Sequence, residues 1–168
     1  MALSFEQAAG ETLRHVVAQS RGRRLLYPDH AARAAVARRL ADSCARHRLK
    51  CLVWCVTDRR LHCVLRGPAA AITLATHEIA GSRPHHGHWQ STVVRRDLYL
   101  LELTRHALLA PVRAGLCRQV ADWPYSSARE SLGLRPPPAW LDVAPVYALL
   151  GADEGGGTAR LRRFIASG

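Results

Sequence analysis

Two apolar runs, Leu49 to Val56 and Leu61 to Leu65, stand back to back across the polar residues Thr57-Asp-Arg-Arg60. Both are of strand length, and neither alternates with polar residues. They predict a β-hairpin whose strands are hydrophobic almost throughout, so its sheet must be covered on at least one face. That requirement governs how the rest of the chain is read, because covering elements have to be found on either side of the hairpin.

Upstream, Leu13-Arg-His-Val-Val-Ala-Gln19 has the β-branched density of a strand, and Ser20-Arg-Gly-Arg-Arg24 ends it with a basic turn. Pro28-Asp29 then opens a helix over Ala31 to Arg46, with Ala35, Val36, Leu40 and Cys44 at helical spacing. Downstream, Ala69 to Ala80 reads as a short helix. The loop Gly81-Ser-Arg-Pro-His-His-Gly-His88 follows, and Trp89 to Val94 supplies a last strand. Asp97 is placed to cap a helix running through Leu98, Leu101, Leu108 and Leu109 towards Pro111. The order β-α-β-β-α-β followed by a helix predicts a ferredoxin-like α+β sandwich with an antiparallel sheet, although periodicity alone leaves other α+β layouts open.

Beyond Gly115 the pattern loosens. Asp122-Trp-Pro-Tyr-Ser-Ser127 is expected to start a short helix ending near Gly133, and Pro136-Pro-Pro138 breaks the chain. Val143 to Leu150 offers a helical turn or two, Gly155-Gly-Gly157 reads as a flexible link, and a basic amphipathic helix from Ala159 to Ile165 closes the sequence. No internal repeat is read. Residues 1–116 are expected to carry the sandwich, and residues 117–168 to be a helical extension packed on the same domain.

Composition narrows the partners. The chain has 168 residues, 48% of them hydrophobic, enough for one ordinary core. No apolar run approaches the roughly 18 residues of a membrane helix. The first residues carry an early acid and no basic segment, so no signal peptide is expected and the expected address is cytoplasmic. The net charge of +11 attracts polyanions, which makes nucleic acid the first partner to consider, ahead of acidic proteins or lipids. Lys50 is the only lysine, as a GC-rich coding bias would produce, but such a bias does not explain the small number of acids.

Five cysteines (Cys44, Cys51, Cys55, Cys63 and Cys117) make an odd count that does not suggest a disulfide framework. Cys51, Cys55, His62 and Cys63 raise the question of a zinc site, but the paired short spacings of one are absent. Burial as small hydrophobes is the better account.

Three stretches in one order carry a family resemblance. They are His15-Val16 with the basic turn and the Leu25-Leu-Tyr-Pro-Asp29 helix start, then Pro111-Val-Arg-Ala-Gly-Leu116, then Asp122-Trp-Pro-Tyr-Ser-Ser-Ala128. Gly87-His-Trp-Gln90 and Tyr99-Leu-Leu-Glu-Leu103 fall between them. Together they resemble the REP-associated tyrosine transposases, a branch of the single-tyrosine HUH transposases. The second and third stretches are similar to that family's Asn-Pro-Val-Arg-Ala-Gly and Trp-Pro-Trp-Ser-Ser runs. Relatives have a longer run around Gly87 to Val94, so helix two and this strand look trimmed here.

The resemblance implies metal-dependent cleavage and rejoining of single-stranded DNA. A tyrosine attacks the phosphodiester, and magnesium or manganese is held by two histidines flanking one hydrophobic residue on a strand. Alternate strand residues share a face, so both imidazoles of such a trio point at one metal. The matching trio is Arg60-Leu61-His62, in which only His62 remains a ligand, because a guanidinium has no lone pair to give. The tyrosine position carries His106, and a polar metal-holding position one turn later carries Ala110. The family reaction is therefore not expected, and no cofactor is expected.

Two rescue routes are weak. Tyr99 lies two turns before His106, where packing is the simpler role, and His106 itself would need His62 as an activated partner. His85, His86 and His88 form a loop cluster that reads as solvated.

What remains is binding. Arg60 would face the position of the scissile phosphate and could clamp its oxygens without cutting. Arg21, Arg23 and Arg24 beside the sheet, and Arg95, Arg96, Arg105 and Arg113 near the helix, would add phosphate contacts. Core packing is the simpler role for Trp89, with base stacking as the alternative. Single-stranded or hairpin DNA, or RNA, is the partner the resemblance implies. A nicking enzyme with a rebuilt site and a protein-interaction module that has lost nucleic-acid binding are the alternatives.

Overall fold

The computed structural model describes residues 10–81, 87–151 and 156–167. Its four strands, β1 (Glu11–Ser20), β2 (Lys50–Val56), β3 (Arg60–Pro68) and β4 (Gly87–Val93), form one sheet in the order β2-β3-β1-β4, antiparallel at every pairing. The two apolar runs are β2 and β3, buried along nearly their whole length. Helices α1 (His30–Arg46), α2 (Ala69–Ala80) and α3 (Asp97–Arg113) provide the covering. The α+β sandwich read from the sequence is the observed fold.

Each covering helix buries an apolar stripe. In α1 the stripe is Val36, Leu40, Ser43 and Cys44, and the Asp29 carboxylate caps the helix by accepting from the Ala32 amide at 2.8 Å. In α2 it is Ile72, Ala75 and Ile79, bounded by Pro68 and by Gly81 at φ 68°. In α3 it is Leu100, Leu103, Thr104, Ala107, Leu108 and Pro111. Glu78 of α2 ties α1 to α2, accepting from the Ser43 hydroxyl at 2.9 Å and pairing with Arg46 at 3.1 Å. Cys44, Cys51, Cys55 and Cys63 are fully buried among these side chains, and burial pushes their thiols up, Cys44 to about 12.

The C-terminal part closes one edge of the sheet. The Val56 amide donates to the Tyr125 carbonyl at 2.8 Å, and the Ser127 amide to the Trp54 carbonyl at 3.0 Å. At the other end of β2 the Cys51 amide donates to the Trp140 carbonyl and the Asp142 amide donates to the Cys51 carbonyl, both at 2.8 Å. The backbone groups an edge strand would leave open are thereby paired. Trp123 adds a bond from its indole nitrogen to the Val56 carbonyl at 2.8 Å, and the Arg33 guanidinium lies over the Trp123 and Tyr125 rings. Helices α4 (Ala128–Ser131), α5 (Ala144–Leu149) and α6 (Gly157–Ala166) complete the chain.

Three local expectations need correction. Asp97 does not cap α3: Arg96 holds that position and Asp97 is the first helical residue, where a carboxylate suits the positive end of the helix dipole. The helix also runs through Pro111 to Arg113, because the proline lies in the last turn. The Leu116 amide donates to the Pro111 carbonyl at 2.9 Å to close that end. Gly157 is the buried first residue of α6 rather than part of a link. A Cβ there would lie 2.3 Å from Cγ of Tyr147, so the absent side chain is what lets the ring close on the helix. Gly155 lies outside the described residues.

Candidate nucleic-acid interface

The site is set by strand register. Pairing of β1 with β3 places Gln19 opposite Arg60, Val17 opposite His62 and His15 opposite Val64. Opposed residues of an antiparallel pair share a face, so one face carries His15, Gln19, Arg60 and His62. His15 and His62 are diagonal neighbours on it. Their rings stack with centroids 5.5 Å apart, and His15 Nε2 lies 3.2 Å from His62 Nδ1. Helix α3 crosses this face, bringing the His106 ring edge to face with His62 at 5.1 Å.

The His62 and His106 rings border an open cavity of about 480 Å3 whose walls also include Arg60, Ala110 and Arg113. Its floor and rim come from Gln19, Ser20 and Gly22 at the end of β1 and from Thr57, Asp58 and Arg59 in the β2–β3 turn. That turn is firmly built. The Thr57 amide donates to the Arg60 carbonyl at 2.8 Å, and the Thr57 hydroxyl accepts from the Arg60 amide at 3.1 Å. The Leu26 and Tyr27 amides donate to the Asp58 carbonyl and Ser20 to that of Arg59, so the basic turn is anchored to the hairpin. Arg59 is spent on this anchoring, through the Gly22 and Arg23 carbonyls.

The electrostatics favour anions. Burial, reinforced by His15, His106 and Arg60, holds the His62 imidazole down to about 3, and burial with His106 holds His15 down to about 4. His106 is lowered in the same direction by burial and by the Arg113 and Arg60 guanidinium groups. All three rings are therefore neutral near pH 7, and the fixed charge of the cavity comes from arginine, with Asp58 as the one acid in the wall. His62 Nε2 is buried with no hydrogen-bond partner.

The structure brings together Arg60, His62, His106 and Ala110, the positions grouped by resemblance, and adds Arg113, which the sequence reading had placed with Arg95, Arg96 and Arg105. It does not bring the other arginines into the same wall. Arg21, Arg23 and Arg24 are exposed on the turn, and Arg95 and Arg96 are exposed between β4 and α3. Arg105 pairs with Glu102 at 2.5 Å and stacks over Phe164 at 4.8 Å. Trp89 is half-buried against the core. Tyr99 does not pack as expected: it is 41% exposed. His88 is exposed and accepts from the Gln90 amide nitrogen at 2.9 Å, while His85 and His86 lie outside the described residues. His15 was missed as a site residue, although its place two residues from the strand position facing His62 was open to a register argument. Among the described residues no group of three or more His, Cys, Asp or Glu side chains is arranged to hold a metal ion, and no helix is long and apolar enough to cross a membrane.

No protein-family model and no curated protein matches the sequence. A solved structure of the REP-associated tyrosine transposase bound to a REP hairpin aligns over 83% of this chain and 90% of its own, with a TM-score of 0.59 and 15% sequence identity. The chain is similar to that transposase in fold.

Proposed function

We propose that this chain is a relative of the REP-associated tyrosine transposases that binds single-stranded or hairpin nucleic acid and does not cut it by the metal-dependent tyrosine route. The observation that carries this reading is the convergence of Arg60, Arg113 and His106 on one open cavity. Two guanidinium groups facing one hollow suit a backbone phosphate, which they can neutralise and hold through paired N–H donors. The net charge of +11 supports long-range attraction to the same ligand. The transposase of similar fold is bound to a REP hairpin, which makes a hairpin the first ligand to try.

The residues present do not fit a divalent metal. Arg60 and Ala110 have no lone pair to offer, His62 Nδ1 is turned to His15, and His62 Nε2 is buried. No step through a metal is derived, and His106 stands where the family reaction would require a phenol. A phosphate seated here is gripped and left intact.

A labelled hairpin with a single-stranded tail, incubated with and without manganese, tests the reading. Retardation without a protein-linked product is expected in both. A covalent product would overturn the inactive assignment, and no retardation at low salt would overturn binding. Arg60→His combined with His106→Tyr and Ala110→Asn is expected to bring back metal-dependent nicking.

A further inference from the structure

Beside the phosphate cavity, and sharing His106 and Arg113 with it, lies a smaller hollow of about 270 Å3 along the flank of α3. We infer that this hollow is a subsite for one nucleobase of a single-stranded segment, with the Tyr99 ring as its stacking platform. The inference rests on the proposed phosphate cavity.

Exposure comes first. Tyr99 is 41% exposed and its neighbour Leu98 is 68% exposed, on a helix whose other large apolar residues are buried or half-buried. An aromatic side chain left in water at the mouth of a basic cavity is the arrangement by which proteins hold unpaired bases.

The direction of the helix comes second. Tyr99, His106 and Arg113 follow one another at intervals of seven residues, which is about two helical turns each, so they lie along one flank. A strand laid along α3 meets a ring, an imidazole and a guanidinium in that order.

Charge decides what the hollow takes. Arg105, which lines the hollow beside Tyr99, is neutralised by Glu102 at 2.5 Å and held over Phe164. The Tyr99 end of the hollow is therefore suited to an uncharged planar group and not to a second phosphate, while Arg113 and His106 at the other end belong to the phosphate side. At about 270 Å3 the hollow has room for a single nucleobase.

Fluorescence anisotropy with three oligonucleotides tests this: a tailed hairpin, the same hairpin with abasic residues scanned through the tail, and a blunt hairpin. Tyr99→Ala is expected to weaken binding of the tailed hairpin by about 5- to 150-fold and to leave the blunt hairpin unaffected. Tyr99→Phe is expected to bind as the parent does, and one abasic position is expected to reproduce the loss in the parent protein. Equal binding of the tailed hairpin by parent and Tyr99→Ala would overturn the subsite, as would failure of Tyr99→Phe, which would assign the effect to the hydroxyl. If Tyr99→Ala binds the tailed hairpin as the parent does while Arg60→Ala weakens it, only the subsite falls. If the parent binds no oligonucleotide, the phosphate cavity and the subsite fall together.

Discussion

The His62 ring meets the His106 ring edge to face at 5.1 Å, and this contact joins the sheet wall of the cavity to its helix wall. On its far side His62 stacks on His15, so three imidazoles run from the interior of the sheet to the solvent. The innermost two are held in the neutral form by burial.

Acid should therefore unfold this protein early. An unfolded histidine takes its proton near pH 6.5, whereas folded His15 and His62 wait until about 4 and about 3. Between those limits the unfolded chain binds more protons, so stability is full above about pH 7 and is lost as the pH falls from 6.5 towards 3. His62 alone contributes a slope of about 1.4 kcal/mol per pH unit in that window. Thermal melts at pH 7 and pH 5 check this, with a clear fall expected for the parent and a shallower one for His62→Gln.

Ligand affinity should carry the opposite proton linkage. His106 is lowered in part by Arg113 and Arg60, and a phosphate between these groups would cancel that repulsion and raise the imidazole again. A group whose pKa rises on binding takes up a proton, so hairpin affinity is expected to rise as the pH falls from neutral into the acid range. His106→Ala should remove most of that rise in anisotropy titrations run across the pH range.

The arginines should separate by salt dependence. Arg60→Ala and Arg113→Ala each remove one phosphate contact, and each is expected to reduce the slope of log affinity against log salt by about 0.7–0.9. Arg105→Ala, whose guanidinium is already paired with Glu102, is expected to leave the slope nearly unchanged.

Gly157→Ala should destabilise the protein without touching the cavity. The added methyl would lie 2.3 Å from Cγ of Tyr147, a ring held in place by the 2.6 Å bond from its hydroxyl to the Ser131 carbonyl. Overpacking of this kind costs about 1–3 kcal/mol, readable as a lower urea midpoint with hairpin affinity retained.

The parts legible in the sequence were those decided by neighbours along the chain. The hairpin of β2 and β3 was legible because two apolar runs of strand length flank a short polar turn, and α2 because Pro68 and Gly81 punctuate it on both sides. Arg60, His62 and His106 were grouped by resemblance, and the cavity does bring them together. The stacking of His15 on His62 was not legible, because it depends on a register between strands whose partners are far apart in sequence. Tyr99 was misjudged for a related reason. Its position on α3 fits a packing residue, and only the placement of the helix across the sheet leaves the ring in solvent.

The pairing of β2 with the backbone at Tyr125, Ser127, Trp140 and Asp142 gives the last third of the chain a protective duty. A fragment ending at residue 116 would keep the whole sheet and the cavity, yet it would bare a long apolar strand with its amides and carbonyls unmet. Such a ribbon templates strand addition from other copies, so the fragment is expected to aggregate more readily on expression than the full chain.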